Sequence, residues 1–356
     1  MLPSHSELKG KKVFVTGHSG FTGSWACIWL DLIGAEVFGY SLEPETTPNL
    51  YTEAKIGSLV KGVFADIRDF ETLRSEVEKF QPDLILHLAA QPIVRRSYRI
   101  PRETFEINAQ GTASVLEAAR LTPSVKGVLC ITTDKVYKNL ELDYKFVESD
   151  ELGGKDPYSS SKAAAEEIIA GYRNTLRSQG ILSPIISVAR GGNILGGGDW
   201  SEGRLVPDFI RAHSTGEPMT IRYPNSTRPW QHVISLVDGY LTILSGILGN
   251  KSSAFDRAFN LGPINEMALS VSDLLNLLSD EIPLVKIMTE SADLPESGVL
   301  GLDSNLAFET FGWSPRWETR EVIEKTASWY KTVLGDKVTA YEMCRDQIDT
   351  WVKITK

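Results

Sequence analysis

Seven short runs of the chain are apolar without alternation: KVFVTG (12–17), EVFGYS (36–41), GVFAD (62–66), DLILHLA (83–89), GVLCITT (127–133), PIISVARG (184–191) and AFNLG (258–262). A strand exposed on one face alternates in polarity, so continuous runs predict strands covered on both faces. Between them the spacing predicts helices over 22–34, 70–79, 104–121, 158–179 and 234–249. Strand–helix alternation of this kind demands a parallel sheet, and right-handed crossovers place helices on both of its sides. The fold class expected is therefore α/β, a doubly wound parallel-sheet domain. After Arg190 the alternation stops, and residues 192–233 become rich in Gly, Pro, Trp and Arg. This change predicts a dinucleotide-type domain from 1–190 plus 234–262 and a smaller C-terminal substrate lobe from 191–233 plus 263–356.

The bulk properties narrow the partners. With 356 residues and 42% hydrophobic content the chain can bury a large core unaided. A net charge of −9 disfavours nucleic acid and anionic membrane as partners. The first residues, MLPSHSELKGKKVFVTG, lack an apolar leader, and no stretch approaches 18 uninterrupted apolar residues, so a cytoplasmic protein is expected. Cys27, Cys130 and Cys344 are odd in number and have no metal spacing; Cys27 and Cys130 fall in apolar patterns, as buried free thiols do. The histidines at 5, 18, 87, 213 and 232 also lack ligand spacing, so no metal is expected.

The first strand runs directly into TGHSGFTGSWACIWL, with Gly17, Gly20 and Gly23 between strand and helix. Glycines there let the backbone turn tightly and admit a pyrophosphate to the helix N-terminus. The second strand ends at Ser41, where NAD-binding chains usually carry an acid, and no Arg or Lys stands at 18–24 or 39–45 to meet a 2′-phosphate. NAD is the cofactor expected. Asp66 and Ile67, after the third strand, are placed to meet the adenine, although Asp66 also suits a helix N-cap.

Residues 131–137 read ITTDKVY, and residues 156–162 read DPYSSSK. Tyr158 and Lys162 are four apart and share one helix face, where a lysine favours the phenolate and makes a general base. Asp134 and Lys135 stand at a strand's carboxyl end, where such folds bind ligands. His87, near the end of an apolar strand, reads as structural; His232 is undecided; Trp200 and Trp230 either wall a pocket or pack the lobe.

TGHSGFTGSW, HLAAQ (87–91), Asn108-x-x-Gly111-Thr112, TTDKVY and YSSSK together resemble the extended short-chain dehydrogenase/reductase family. Thr-Asp-Lys at 133–135, ESDELGGKDPYSSSK (148–162), GNILGGGDWSEGRLVPD (192–208) and RPWQHV (228–233) are most similar to its nucleotide-sugar 4,6-dehydratase branch, in particular to members acting on CDP-D-glucose. The resemblance implies a lyase with roles for individual residues. Thr133, Tyr158 and Lys162 would oxidise the sugar at C4, Asp134 would protonate the leaving 6-hydroxyl, and Asn108 would support the lysine. Gly17, Ser19, Gly20, Phe21, Thr22, Gly23, Ser41, Asp66, Ile67, Leu88, Ala89, Ala90, Asn108, Thr132, Tyr158 and Lys162 would hold NAD. Asn193, Arg204 and Arg228 would contact the nucleotide diphosphate, with Leu205 and Arg222 beside them. Better-known relatives carry a glutamate in place of Lys135 as the C5 base, so its role here is open between base and electrostatic stabiliser. The resemblance also implies a homodimer, or a tetramer, paired through the helices at 104–121 and 158–179, and a place in deoxysugar synthesis for a surface polysaccharide such as lipopolysaccharide O-antigen. A nucleotide-sugar 4-epimerase and a non-catalytic dinucleotide-binding protein of the same fold are the competing readings.

Overall fold

A computed structural model describes residues 5–141, 144–263, 269–283, 286–290 and 300–354. The seven predicted strands form one sheet: β1 (Lys12–Thr16), β2 (Glu36–Ser41), β3 (Lys61–Phe64), β4 (Leu84–His87), β5 (Gly127–Ile131), β6 (Ile185–Gly191) and β7 (Ala258–Leu261). Their spatial order is 3-2-1-4-5-6-7, and every neighbouring pair is parallel. β1 shows why the runs do not alternate in polarity. Val13 and Val15 enter the core on one side of the sheet and Phe14 enters the core on the other, so both faces need apolar side chains. β3 departs from this expectation: it is an edge strand, with Lys61 and Phe64 exposed.

Helices of eight residues or more among the described residues are α1 (Phe21–Ile33), α2 (Phe70–Phe80), α3 (Gly111–Leu121), α4 (Pro157–Ser178), α5 (Leu205–Thr215), α6 (Val233–Leu248), α7 (Val271–Glu281), α8 (Thr319–Val333) and α9 (Ala340–Lys353). α2, α3 and α4 cover the face reached by Phe14, Val128 and Cys130. The opposite core gathers Trp25, Trp29, Val233, Trp329, Tyr330 and Trp351 from α1, α6, α8 and α9. The predicted helix over 104–121 is interrupted: Pro101–Phe105 is followed by a π turn, Glu106–Gln110, and then by α3. Such turns redirect a side chain without ending the helix. Here Asn108 is buried, and at the start of α3 a β-carbon on Gly111 would lie only 2.9 Å from Ile67.

Beyond β6 the chain builds short strand pairs. Ile194–Leu195 runs parallel to Gln231–His232, Met219–Ile221 parallel to Ile287–Thr289, and Thr227–Arg228 antiparallel to Leu269–Ser270. With α5 and α7 they stand over the carboxyl edge of the sheet. α9 returns to pack on α1. Among the described residues no helix is long and apolar enough to cross a membrane. All three cysteines are free and buried, and burial pushes the Cys27 and Cys130 thiols up to about 12.

The glycine turn is fixed by contact as well as by conformation. Gly17 has φ +76°, a left-handed value that disfavours other residues. A β-carbon on Gly23 would lie 2.0 Å from the Gly17 carbonyl oxygen, whereas one on Gly20 would meet nothing closer than 3.4 Å. Gly23→Ala should therefore destabilise the protein by about 1–3 kcal/mol, because the obstructing atoms are backbone. Gly20→Ala should leave stability unchanged. Denaturant unfolding of the two variants checks the contrast.

Candidate active site

The carboxyl ends of β1, β4, β5 and β6 share one edge of the sheet, and α4 brings two further groups to it. The sequence DPYSSSK starts α4 by its own chemistry. Asp156 is the N-cap and accepts from Ser159 N, Ser159 reciprocates through its hydroxyl, and Pro157 opens the helix. Tyr158 N donates to Ser97 Oγ at 3.1 Å, which fixes this end. Tyr158 and Lys162 then lie buried on one face of α4.

At the end of β5, Thr133 caps a single helical turn, Asp134–Val136. Thr133 Oγ1 donates to Asp134 Oδ1 at 2.9 Å, and Lys135 Nζ donates to the same oxygen at 3.2 Å. Lys135 Nζ also reaches Asn193 Oδ1 at 3.4 Å. Asp134 is 1% exposed, so the adjacent acid and base are not a solvated surface pair. Its other oxygen, Oδ2, faces Gly192, where a β-carbon would sit 3.3 Å away.

Burial dominates the titration of the helix pair. It pushes the Tyr158 phenol up to about 12, against the lowering influence of Thr133. The expected depression of this phenol by Lys162 is not seen; Lys162 Nζ instead donates to the Ile131 carbonyl at 3.0 Å, and burial brings its own pKa down to about 8. Asn108, expected to support the lysine, reaches it indirectly. Its Nδ2 donates to Ser161 Oγ at 2.8 Å and to Gln91 O at 3.1 Å, and its Oδ1 accepts from Gln91 N.

A cavity of about 470 Å³ opens beside these groups. It is lined by Thr133, Lys135, Tyr158, Asn193, Arg204, Leu205, Arg222 and Arg228 among the residues singled out by sequence. Arg204 Nη1 donates to Asp199 Oδ2 at 3.1 Å, and Arg228 Nη1 to Thr227 O at 2.7 Å. Sequence reasoning missed Arg95, Tyr98, Asp199 and Tyr223, which line the same cavity. The basic run after β4 (VRRSYR) was the available signal for the first two.

The groove at β1, β2 and β4 holds the other group. Gly17, Ser19, Gly20, Phe21, Thr22 and Gly23 form the turn into α1, and Leu88 and Ala89 donate their backbone N–H groups to Thr16 Oγ1; Ala90 follows them. Ser41 lies within hydrogen-bond distance of His18 Nδ1 and of Ser19 Oγ, each at 2.9 Å, and burial lowers His18 to about 4. Sequence reasoning overlooked His18, whose ring also explains Gly39: a β-carbon there would lie 2.3 Å from it. Asp66 is not the N-cap of α2, a place taken by Asp69; its carboxylate is held by Arg68. Ile67 is core, and Thr132 turns its hydroxyl to Glu166 at 2.7 Å.

His87 is a satisfied core histidine, bonded to Thr16 Oγ1 at 2.8 Å and Thr112 Oγ1 at 3.1 Å, with its pKa lowered to about 3 by burial and by Lys162. His232 caps α6 by accepting from Ile234 N. Trp200 packs on Tyr330 and donates to Glu53, while Trp230 does line the cavity. Among the described residues no cluster of three His, Cys, Asp or Glu is arranged to hold a metal ion.

A glycine turn for a dinucleotide beside a buried Tyr–Lys pair defines a short-chain dehydrogenase/reductase site on its extended fold. The chain matches the GDP-mannose 4,6 dehydratase family over residues 14–326, and it belongs to that family. It is 37% identical to the CDP-glucose 4,6-dehydratase of Salmonella typhimurium over 331 residues, 91% of each chain. UDP-glucose 4-epimerase from Thermotoga maritima shares the fold with a TM-score of 0.79 at 21% identity, covering 91% of this chain and 99% of that one. So does dTDP-glucose 4,6-dehydratase from Streptomyces venezuelae, solved with NAD and TYD bound, with a TM-score of 0.77 at 24% identity over 91% of this chain and 98% of that one.

Lys162 has a measurable signature. Between about 8 and its ordinary 10.5 the unfolded chain holds a proton that the folded chain has released, so this group makes stability rise with pH across that window. Below the window the folded protein carries the full penalty of a buried ammonium. Lys162→Met should raise stability at pH 7 by about 1–3 kcal/mol while abolishing activity, and should give no gain above the window. Unfolding curves at several pH values check it.

Proposed function

We propose that the chain is an NAD-dependent CDP-D-glucose 4,6-dehydratase, which converts CDP-D-glucose to CDP-4-dehydro-6-deoxy-D-glucose and water. The observation that carries this reading is the Thr133–Asp134–Lys135 turn, whose Thr133 and Lys135 line the same cavity as Tyr158 and both bond to the buried Asp134. An epimerase needs the oxidation groups but has no use for a second acid–base pair, and a sensor needs neither. The nucleotide identity rests on the Salmonella relative.

The residues present fit a dinucleotide. No clash within the fold requires glycine at position 20, so its open side leaves room for a pyrophosphate at the N-terminus of α1. The uncharged Ser41–Ser19 pair at the end of β2 suits an unphosphorylated ribose, and Arg68 after β3 and Arg96 after β4 are bound to Asp66 and Glu45. NAD is thus favoured over NADP. Bound there, it would supply the hydride acceptor for C4 and the hydride donor for C6.

The chain's own residues do the rest. Tyr158 takes the proton from the 4-hydroxyl, with Thr133 beside it, and Lys162, one turn further along α4, would hold the nicotinamide ribose. The resulting ketone acidifies the C5 proton. Asp134 delivers a proton to O6, so that water leaves. Lys135 either removes the C5 proton or holds the developing enolate by its charge, and C5 regains a proton, exchangeable with water, when C6 is reduced. Asn193, Arg204 and Arg228 would receive the diphosphate, with Arg222 beside them; guanidinium groups are matched donors for it. In the cell the protein would act as a homodimer paired through the outer faces of α3 and α4, in deoxysugar synthesis.

Incubation with CDP-D-glucose followed by alkali should produce the ultraviolet absorbance of a 4-keto sugar. An epimerase or a sensor gives none, and faster turnover of a dTDP-, UDP- or GDP-linked sugar would reassign the nucleotide.

Lys135 can be resolved separately. Loss of a positioned acid or base costs roughly 10²–10⁴ in rate. Lys135→Ala should still reduce the dinucleotide on adding sugar but lose exchange of the C5 hydrogen with deuterated water. Lys135→Arg keeps the charge without the base; C5 exchange retained in that variant indicates electrostatic stabilisation, and exchange lost indicates a base.

A further inference from the structure

Behind the catalytic turn lies a buried polar network that the chemistry above does not use. Arg190, near the end of β6, is 4% exposed. Its Nε donates to both carboxylate oxygens of Glu166, at 2.9 and 3.1 Å, and Nη2 closes a third contact. Glu166 stands on α4 one turn beyond Lys162, on the face that carries Tyr158. The same carboxylate accepts from Thr132 Oγ1 at 2.7 Å. On its other side Arg190 donates through Nη1 to Tyr137 Oη at 2.7 Å and to the Glu148 carbonyl at 3.0 Å, with its guanidinium 4.9 Å over the Tyr137 ring. Tyr137 Oη passes its own hydrogen to Asn260 Oδ1 at 2.6 Å, and Asn260 Nδ2 donates to Phe146 O at 2.8 Å.

Thr132 and Tyr137 are the two residues that flank Thr133–Val136. A single buried ion pair therefore grips both ends of the turn bearing Asp134 and Lys135, and it is anchored on the helix bearing Tyr158 and Lys162. The backbone bonds of the turn itself are long, Val136 N to Thr133 O and Lys135 N to Thr133 Oγ1 both at 3.3 Å, and its shorter internal bonds converge on Asp134 Oδ1, so apart from the bond from Gly153 N to Val136 O at 2.7 Å its placement depends on what holds its two ends. We propose that Arg190 and Glu166 form a clamp, with Thr132 and Tyr137 as its jaws, that sets the elimination groups Asp134 and Lys135 in register with the oxidation groups Tyr158 and Lys162. These four are positioning residues. Stability alone is a poor reason for such a pair, since buried ion pairs often stabilise no more than apolar replacements would. Placement is a better one, because a misplacement of about 1 Å can cost 10²-fold in rate. The inference rests on the dehydratase reading for its consequence, though not for its geometry.

Removing Arg190 or Glu166 would strand a buried charge and invite unfolding, so the test cuts the jaws. Tyr137→Phe and Thr132→Val each delete one hydrogen-bonding group and keep the shape. Hydrogen–deuterium exchange of the substrate-free protein should show the amides of 132–138 exchanging several-fold faster in each variant, with those of 157–170 unchanged. In single turnovers of Tyr137→Phe with CDP-D-glucose, reduction of the dinucleotide should fall only a few-fold, through Thr133 in the same turn, while 4-keto product formation falls roughly tenfold or more. Unchanged exchange in the turn overturns the clamp. So does an equal loss in both steps, the mark of a merely structural role, or faster exchange with wild-type product formation. Failure of the wild-type protein to act on the sugar would instead defeat the dehydratase reading, and the exchange result would still decide the clamp.

Discussion

All seven strands of the sheet run the same way, and the rest of the structure depends on that constraint. Parallel pairing forces every connection to cross back over a face, which buries both sides of the sheet and brings the carboxyl ends of β1, β4, β5 and β6 to one edge. The glycine turn, Thr16, His87, Thr133 and Arg190 are far apart in sequence, yet each occupies or adjoins a strand end on that edge. The short strand pairs and helices after β6 then roof the edge and convert it into a cavity.

The polar groups at this edge are buried, and that carries a cost. Lys162 is held well below its ordinary pKa and Tyr158 well above, both by loss of water. Burial also keeps His18, His87 and His232 neutral. Most of these groups are satisfied by short internal hydrogen bonds: His87 between two threonines, Asn108 between Gln91 and Ser161, Glu166 between Arg190 and Thr132. A buried network of this kind is tolerable only when its members are paired, and pairing makes it rigid. Rigidity at a strand end suits groups that must keep a fixed geometry to one another.

Some of this was legible before any coordinates. Continuous apolar runs announced buried parallel strands, because a side chain on either face must meet a core; β2 spans the same residues in both readings. The spacing announced the helix over 158–179, and the structure starts it at Pro157, where Asp156, Pro157 and Ser159 satisfy orphan backbone groups locally. The motifs for the dinucleotide and for proton transfer were readable for the same reason: each is a short stretch whose members meet within one turn or one helix face. Less visible was the break in the helix over 104–121, since a π turn uses the same helix-forming residues as its neighbours and is set by packing around Asn108.

The sequence by itself determined the α/β class, the order of strands and helices, the glycine turn and the pairing of Tyr158 with Lys162, because these follow from local periodicity and from contacts a few residues apart. Only the tertiary structure decided that Asp134 is buried with Thr133 and Lys135 bonded to one oxygen, that His18 joins Ser41 and Ser19, that Asp199 holds Arg204, and that Arg190 and Glu166 grip the turn from behind. Apart from Asp134 with its chain neighbours, these partners come from different elements or, for Asp199 and Arg204, from one irregular loop. Their hydrogen bonds and their desolvation are fixed by how those elements pack, which no local pattern in the chain records.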